Sequence, residues 1–375
     1  MAPRRAHPPS ETSLTFTGQT YEAARRLGVP GLFVSSNARR AEASDGALKV
    51  VNRPAPWPSA RGVAYHLAKA LHAARLTWSA LRFRATHALI DSGTAHWFLF
   101  APLAWAGVQV IPNLHNTRWP AGHRPTGRMA RGLLRLDSLF FRHCVKVALA
   151  VSPEGARQVA ELSQGRTRTR EYRAQFVESD FTALPPAPPL DGPRRLLFAG
   201  RVERDKGVFD LVEAVARLNR DGAVRYTLEV CGAGSAVPEL EALLRDRGLA
   251  DQVRLRGRLK RPDLLQAYAH CHAVVVPTGP TFNEGFAMVC AEAALAGRPV
   301  VGSRVVPAGE VLGAAFKTAE NDPDDIARVL RQLLEDPHAY AAAIAATVRV
   351  RPQFVDRANG LTAALVSLLN VDRNE

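Results

Sequence analysis

Two glutamates with seven residues between them, Glu284 and Glu292, anchor the segment Phe282-Asn283-Glu284-Gly285-Phe286-Ala287-Met288-Val289-Cys290-Ala291-Glu292-Ala293. Glu284 falls on a loop, and Glu292 falls inside a predicted helix, Phe286–Ala296, that carries no other charge. A carboxylate buried in so apolar a stretch needs a hydrogen-bonding partner. Ribose hydroxyls would serve, because one ionised carboxylate can accept from both. Glu284 and the amides of Gly285 and Phe286 would stand at the helix N-terminus, which favours polar or anionic ligand groups. A structural arginine beside Glu292 and a solvated cap at Glu284 would use the same residues. The sequence leaves both readings open.

A second candidate is Gly200-Arg201-Val202-Glu203-Arg204-Asp205-Lys206-Gly207, directly after a predicted strand. Arg201 and Lys206 flank a short loop whose glycines let backbone approach a ligand. Two cations there suit a diphosphate and its departure as a leaving group, although a basic surface loop has the same composition. Gly232-Ala233-Gly234 closes the next strand. It does not extend to a GxGxxG, which disfavours a nicotinamide dehydrogenase. In the N-terminal half, Leu114-His115-Asn116-Thr117 ends a strand, so His115 is expected to point into a cleft, as a sugar contact, a base or a structural histidine. His270-Cys271-His272 has the look of a metal pair but lacks further ligands at useful spacing, so no metal is expected.

These residues need a scaffold, and the chain spells one out. In the C-terminal half, predicted strands at Arg195–Ala199, Tyr226–Cys231, Val253–Arg256, Ala273–Val276 and Pro299–Gly302 alternate with helices at Val208–Asn219, Pro262–Ala269 and Phe286–Ala296, with Asp324–Leu334 after the last strand. Another helix follows Gly232-Ala233-Gly234 and is read only as running through Arg247. That alternation calls for a parallel sheet covered on both faces. The N-terminal half follows the same logic less cleanly. A helix over Thr20–Leu27 precedes strands at Leu32–Ser35 and His87–Asp91, and an apolar helix over Gly93–Gly107 leads to Val108–Leu114. A basic amphipathic helix, Gly127–Cys144, runs to Lys146–Val151, and Ser152-Pro153 starts another helix as cap and first turn. Only Leu14–Phe16 offers an opening strand. Residues 184–193, rich in proline, read as a stiff linker between an N-terminal domain, 1–183, and a C-terminal domain, 194–350. The expected fold class is α/β, with two Rossmann-like, doubly wound parallel-sheet domains facing a cleft.

A chain of 375 residues with 47% hydrophobic content favours two domains over one. The four scattered cysteines read as free thiols of a reducing compartment. Met1 to Glu11 is polar and lacks a signal-peptide core, and Trp97–Ile111 is too short and broken to span a membrane. The expected location is therefore cytoplasmic. The +14 formal charge is uneven: the first 185 residues hold 25 Lys and Arg against 11 Asp and Glu, the rest 24 against 24. The basic half is expected to meet something anionic: nucleic acid, a membrane surface or a phosphorylated lipid.

Strand, Gly-Arg-x4-Lys-Gly, Gly-x-Gly, then Glu-x7-Glu and Ala296-Gly-Arg-Pro-Val-Val301, in this order, resemble the retaining glycosyltransferases of family 4, which have the GT-B fold. The likeness is specific over Arg195–Pro337 and collinear back to about Gly18. It implies that Arg201 and Lys206 bind the donor diphosphate, and that Glu292 binds the ribose. Glu284, Gly285 and Phe286 would bind the donor sugar and phosphate, and His115 would lie near the transferred sugar. Gly18 would fall in an N-terminal glycine loop and, like Gly232 and Gly234, would bind the donor. A last helix, Val355–Leu369, would cross back onto the N-terminal domain, and no metal cofactor would be needed. The chain departs from the family in three places. The N-terminal loop lacks its second glycine, Gln175-Phe176-Val177-Glu178-Ser179-Asp180 replaces Asn-Gly-Val-Asp, and Val305-Val306 stands where Gly-Gly is usual. These departures point toward a divergent bacterial branch of polysaccharide assembly.

The expected partners are a nucleotide-sugar donor, a glycan or lipid-linked sugar acceptor and the anionic inner face of the cell membrane, met through the Arg128–Arg142 helix with Arg118 and Arg124. A non-catalytic sugar-nucleotide binder is the rival reading, since it would share Glu292, Arg201 and Lys206. Nucleic acid is not expected, because the basic half carries no recognisable module for it and few interleaved aromatics.

Overall fold

Short runs of Val, Leu, Ile and Ala between glycine- and proline-bearing turns set the strands, and the computed structural model assembles them into three sheets. It describes residues 13–93, 96–313 and 316–374. The polar start, Met1 to Glu11, lies outside them. The chain forms β1 (Gly31–Ser35), β2 (Ala41–Asp45), β3 (Leu48–Asn52), β4 (His87–Asp91), β5 (Gln109–Leu114), β6 (Val147–Ala150) and β7 (Arg168–Glu171) before residue 184. After 193 come β8 (Arg194–Ala199), β9 (Tyr226–Cys231), β10 (Val253–Gly257), β11 (Ala273–Val276), β12 (Val300–Ser303) and β13 (Phe316–Thr318).

The C-terminal sheet is wholly parallel, ordered β10-β9-β8-β11-β12-β13. Its centre, β8 and β11, is apolar on both faces, as a sheet covered twice must be. On one face Val208–Asp221 and Pro323–Leu334 bury Leu211, Val215 and Leu330 against Leu196, Val275 and Val301. On the other, Met288–Leu295 buries Cys290, Ala291 and Ala294. That second cluster continues through Phe286, Phe354 and Phe176 to Leu149 of β6, so one apolar core joins the two halves.

The N-terminal half departs from a single doubly wound sheet. β4-β5-β6-β7 form a parallel four-stranded sheet, while β1, β3 and β2 form a separate one. There β1 and β3 are parallel and β2 returns antiparallel through the tight turn Asp45-Gly46-Ala47-Leu48, with Gly46 at φ +58. A two-residue loop with glycine first, here Gly46-Ala47, is one of the favoured hairpin turns. The opening strand expected at Leu14–Phe16 is absent: Ser13 makes one isolated bridge to Phe176, and Thr15 caps a helix, Phe16–Leu27, through the amide of Gly18. Thr15 is a preferred N-cap residue, and its side chain satisfies one of the amides a helix start leaves unpaired. Gly18 is thus in the first helical turn, not in a loop. The helix expected over Gly93–Gly107 is, in its described part, a 3-10 turn, Trp97–Phe100, and a short helix, Ala101–Trp105, that starts with Pro102 in its first turn. A helix of 21 residues, Gly62–Arg82, precedes β4, and Pro337–Val350 and Pro352–Val355 follow the last strand. The chain ends in Leu361–Asn374, which begins later than expected and packs on Phe16–Leu27, with Gln19 accepting from the amide of Leu361.

Residues 184–193 contain no helix or strand, but they lie against the C-terminal half. Arg298, fully buried, donates to the carbonyls of Pro185 and Pro186, and Tyr340 to that of Pro188. His272 donates through Nε2 to Pro189 and accepts the Arg195 amide at Nδ1, so both its nitrogens serve the backbone.

Gly207 separates loop from helix at φ +69, and a Cβ there would overlap the carbonyl oxygen of Pro277. Gly248 has a similar φ, +62, but faces open space. Urea unfolding should therefore separate them. Gly207→Ala is expected to destabilise by roughly 3 kcal/mol or more, and Gly248→Ala by only about 1–2 kcal/mol.

Candidate active site

β8 and β11 are neighbours at which the strand order turns around: β9 and β10 build outward on one side, β12 and β13 on the other. A crevice opens at such a switch point beyond the carboxyl ends of the strands. The loop after β8 carries Arg201 and Lys206. The loop after β11 carries Thr278, Phe282 and Glu284. Because the two strands are adjacent, with Val274 opposite Leu197, these loops leave the sheet side by side.

Lys206 Nζ lies 2.5 Å from Glu284 Oε2, with only 14% and 10% of the two side chains exposed. The Thr278 hydroxyl donates to the same oxygen at 3.3 Å. Phe282 lies between the cations, its ring centroid 3.7 Å from Lys206 Nζ and 5.1 Å from the Arg201 guanidinium carbon. Arg201 itself is exposed. The three charged side chains together carry one net positive charge, presented partly to solvent, which suits an anionic ligand.

Gly232 and Gly234 sit beside this loop. A Cβ on either would overlap the carbonyl oxygens of Gly200 and Val202, and Val202 N donates to Ala233 O at 3.1 Å. Their smallness lets the turn after β9 lie flat on the Arg201 loop. Glu203 fastens the contact by accepting from the amide of Ser235.

Glu292 lies on Met288–Leu295, and its Oε2 accepts from the Tyr268 hydroxyl at 2.5 Å. Tyr268 is fully buried, and burial first, then the adjacent carboxylate, pushes its phenol well above the usual range. It therefore donates this hydrogen bond at any ordinary pH. The helix begins two residues later than expected. Ala287 caps it at φ +67, so Gly285 and Phe286 belong to the preceding loop, and Phe286 is buried against Phe354 at 5.8 Å between ring centroids.

The N-terminal half meets this wall directly. His115 follows β5, stacks on Phe16 with 5.4 Å between centroids, and has Nδ1 3.8 Å from Asp91 Oδ1 at the end of neighbouring β4. Its carbonyl oxygen fills the space a Cβ on Gly285 would need. Thr117 donates to the Glu284 carbonyl at 3.2 Å, and Asn283 to that of Arg118 at 3.4 Å. Arg157 and Glu310 pair at 2.6 Å between the same halves. Arg201, Lys206, Glu284, Gly285 and His115 thus converge on one crevice. Gly18 is two residues from Phe16, the ring that supports His115. Phe282, Thr278, Thr117, Tyr268 and Asp91 were not singled out from sequence. The first three lie within or next to the motifs already noted, and Tyr268 and Asp91 carried no local signal. Among the described residues no three His, Cys, Asp or Glu side chains gather as metal ligands would.

The architecture is that of GT-B glycosyltransferases. Over 96% of this chain and 92% of the other, it superposes on sucrose-phosphate synthase from Thermosynechococcus elongatus with a TM-score of 0.69 at 17% identity. Anabaena HepE in complex with UDP superposes with a TM-score of 0.63 at 16% identity, over 92% of this chain and all of the other.

Within that fold, residues 181–349 match the family of group 1 glycosyl transferases. The matched segment holds Arg201, Lys206, Glu284 and Glu292 but not His115 or Gly18. Glycogen synthase from Mycobacterium tuberculosis is 33% identical over 154 residues, 40% of this chain and 36% of that protein. This chain therefore spans about a third of that relative's length. The alpha-D-kanosaminyltransferase of Streptomyces kanamyceticus is 27% identical over 303 residues, 75% of this chain and 73% of the other.

Burial holds the His115 imidazole below the usual histidine range, against the opposite pull of Asp91. A histidine with a depressed folded-state pKa binds its proton first in the unfolded chain. Folding stability should then fall as pH drops from the normal histidine pKa, about 6.5, toward the lowered one, and level off below it. His115→Gln is expected to flatten that stretch of the stability–pH curve. A curve unchanged by the substitution would show that His115 titrates normally.

Proposed function

We propose that the chain is a glycosyltransferase that moves a hexose-type sugar from a nucleotide-sugar donor to a glycan or lipid-linked acceptor, with retention, in polysaccharide or glycoconjugate assembly. The observation that carries this reading is the group formed by Arg201, Lys206, Phe282 and Glu284 at the switch point, opposite His115. The match of residues 181–349 to group 1 glycosyl transferases supports it, as does a UDP-bound neighbour of the same fold.

In this reading Glu292, oriented by Tyr268, accepts from the ribose, and Gly232 and Gly234 hold the donor-side loop in place. Phe286 packs behind the loop that presents Glu284 and Gly285 to the sugar. The bond between the anomeric carbon and the diphosphate oxygen breaks, and its electron pair leaves with the diphosphate. Arg201 and Lys206 stabilise the charge that develops there. Glu284 holds Lys206 in register, as an ion pair with little exposure can. The acceptor hydroxyl attacks the face the diphosphate leaves, and its proton passes to the departing phosphate oxygen. His115, neutral at neutral pH, contacts the transferred sugar. No metal cofactor takes part in this scheme, because protein cations already face the diphosphate. The excess charge of the N-terminal half supports a place on the inner face of the cell membrane. No helix among the described residues is long and apolar enough to cross one.

Arg201→Ala, Lys206→Ala and Glu292→Gln should each weaken donor binding or turnover about ten- to a hundredfold, the worth of one charge-assisted contact. Arg201→Ala is the cleanest of the three, since its side chain is exposed, whereas Lys206→Ala also strands Glu284. Turnover of nucleotide sugars followed by released nucleoside diphosphate, with folding checked by circular dichroism, gives the readout. Wild-type rates in all three folded variants would sink the assignment. Donor binding without any turnover would favour the non-catalytic reading.

Transfer is also expected to survive EDTA. Complete loss, restored by magnesium or manganese, would mean that a metal and not the two cations balances the leaving group.

A further inference from the structure

The helix Gly62–Arg82 presents apolar residues to water as well as to the core. Val63, Leu67, Leu71, Trp78 and Leu81 are all exposed. At about 100° per residue they share an arc of roughly 80°. The opposite side packs inward through Ala73, Leu76 and Ala80 and is fixed by polar contacts: Ser79 accepts from Arg53 at 2.8 Å, and His66 meets His96 at 2.8 Å. Trp78 is 67% exposed and Trp105, on the short helix packed beside it, 79%. Among the described residues, twelve of the thirteen exposed large apolar side chains lie in the basic half, so the feature is not a general trait of the surface. An apolar patch of this kind marks a contact.

Charge identifies the partner. Residues 46–90 contain seven Lys and Arg and no Asp or Glu. Arg75 and Arg82 border the apolar stripe, and Arg61 stands at its start. A second copy of the chain would bring like charges together on this face. An anionic bilayer offers both an apolar boundary for the tryptophans and leucines and negative headgroups for the arginines. The geometry points to the Gly62–Arg82 helix, with Trp105 beside it, as an interfacial element that lies in the plane of an anionic membrane leaflet. At 21 residues it is about 31 Å long, and its basic residues keep it on the surface, not across it.

This deepens the membrane part of the proposed function and rests on it, while leaving the transfer chemistry aside. Its place differs from the helix favoured by charge alone, Arg128–Cys144, and two of the arginines expected beside that helix are already paired. Arg118 is bound to the buried Asp137 at 2.6 Å and Arg124 pairs with Glu161, so neither offers its full charge to a lipid. On its inner side the docking helix touches His96, a few residues beyond Ser92, whose hydroxyl accepts from the amide of Asn116 next to His115. A docked leaflet would lie toward the acceptor side of the crevice.

The test is flotation of the purified full chain with vesicles of phosphatidylglycerol or of phosphatidylcholine, at low and high salt. The wild type is expected to float with the anionic vesicles and much less with the neutral ones. Leu71→Ser with Trp78→Ser should remove most binding at either salt, and both side chains are exposed enough that the fold survives. Arg75→Gln and Arg82→Gln should each weaken binding about fivefold at low salt and less at high salt. Two results would overturn the proposal: Leu71→Ser with Trp78→Ser floating like the wild type, or flotation lost only on changing Arg131 and Arg135 of the Arg128–Cys144 helix. A dimer in sedimentation that the Leu71, Trp78 variant converts to monomer would assign the face to self-association instead. Release of nucleoside diphosphate from a nucleotide sugar, measured without vesicles, keeps the two readings apart. Flotation without turnover removes only the reaction, and turnover without flotation removes only the docking face.

Discussion

The pair between Lys206 and Glu284 is the interaction on which the crevice depends. It ties the loop after β8 to the loop after β11 and puts a cation where neither loop alone would hold one. With so little of either side chain exposed, both ions have lost most of their water. Breaking such a pair from one side commonly costs about 3–5 kcal/mol, because the remaining charge is left without its partner. Thr278 and the face of Phe282 complete the surroundings of these two groups. The glycines enforce the same geometry from outside. Gly207, Gly232 and Gly234 are each pressed against a carbonyl, so the loops approach by backbone and leave the long side chains to point into the crevice.

The second half of the crevice is built by opposition. Both parallel sheets end at it, and the residues just past β5 touch those just past β11. Gly285 packs on the His115 carbonyl and Thr117 donates to that of Glu284. Contacts this close mean that a small rotation of one half against the other would change the distance from His115 to the Lys206–Glu284 group. The crossover after Val350 limits that rotation. Phe354 joins the core beneath Phe286, and Leu361–Asn374 returns to the first helix.

The N-terminal half carries two surfaces with opposite demands. Toward the crevice it stacks half-buried His115 on Phe16, beside an exposed Asp91. Away from it, Gly62–Arg82 exposes tryptophan and leucine between arginines. The inner side of that helix holds Ser79 and His66 in specific hydrogen bonds, so its orientation is decided by packing. The outward stripe is therefore a consequence of the fold and not of a helix free to roll over.

Much of the C-terminal half was legible in the residues alone. β11, Ala-Val-Val-Val, starts and ends where its aliphatic run does, because a buried parallel strand needs unbroken apolar residues between turn-forming ones. The charged motifs were equally legible, since Arg, Lys and Glu beside glycines at strand ends have few other uses. Three features were not. Gly62–Arg82 escaped because its apolar residues face both inward and outward, which erases the period that an ordinary surface helix shows. The β1-β3-β2 sheet escaped because β2, Ala-Glu-Ala-Ser-Asp, has little strand character and is held by its hairpin partner. Gly18 was taken for a loop glycine, whereas the Thr15 cap draws it into a helix. The sequence by itself determined which residue types were available for the chemistry. Only tertiary structure decided that Lys206 pairs with Glu284, that Tyr268 holds Glu292 and that His115 faces Gly285. Each of those contacts joins segments far apart in the chain, and strand order, which local pattern does not encode, brings them together.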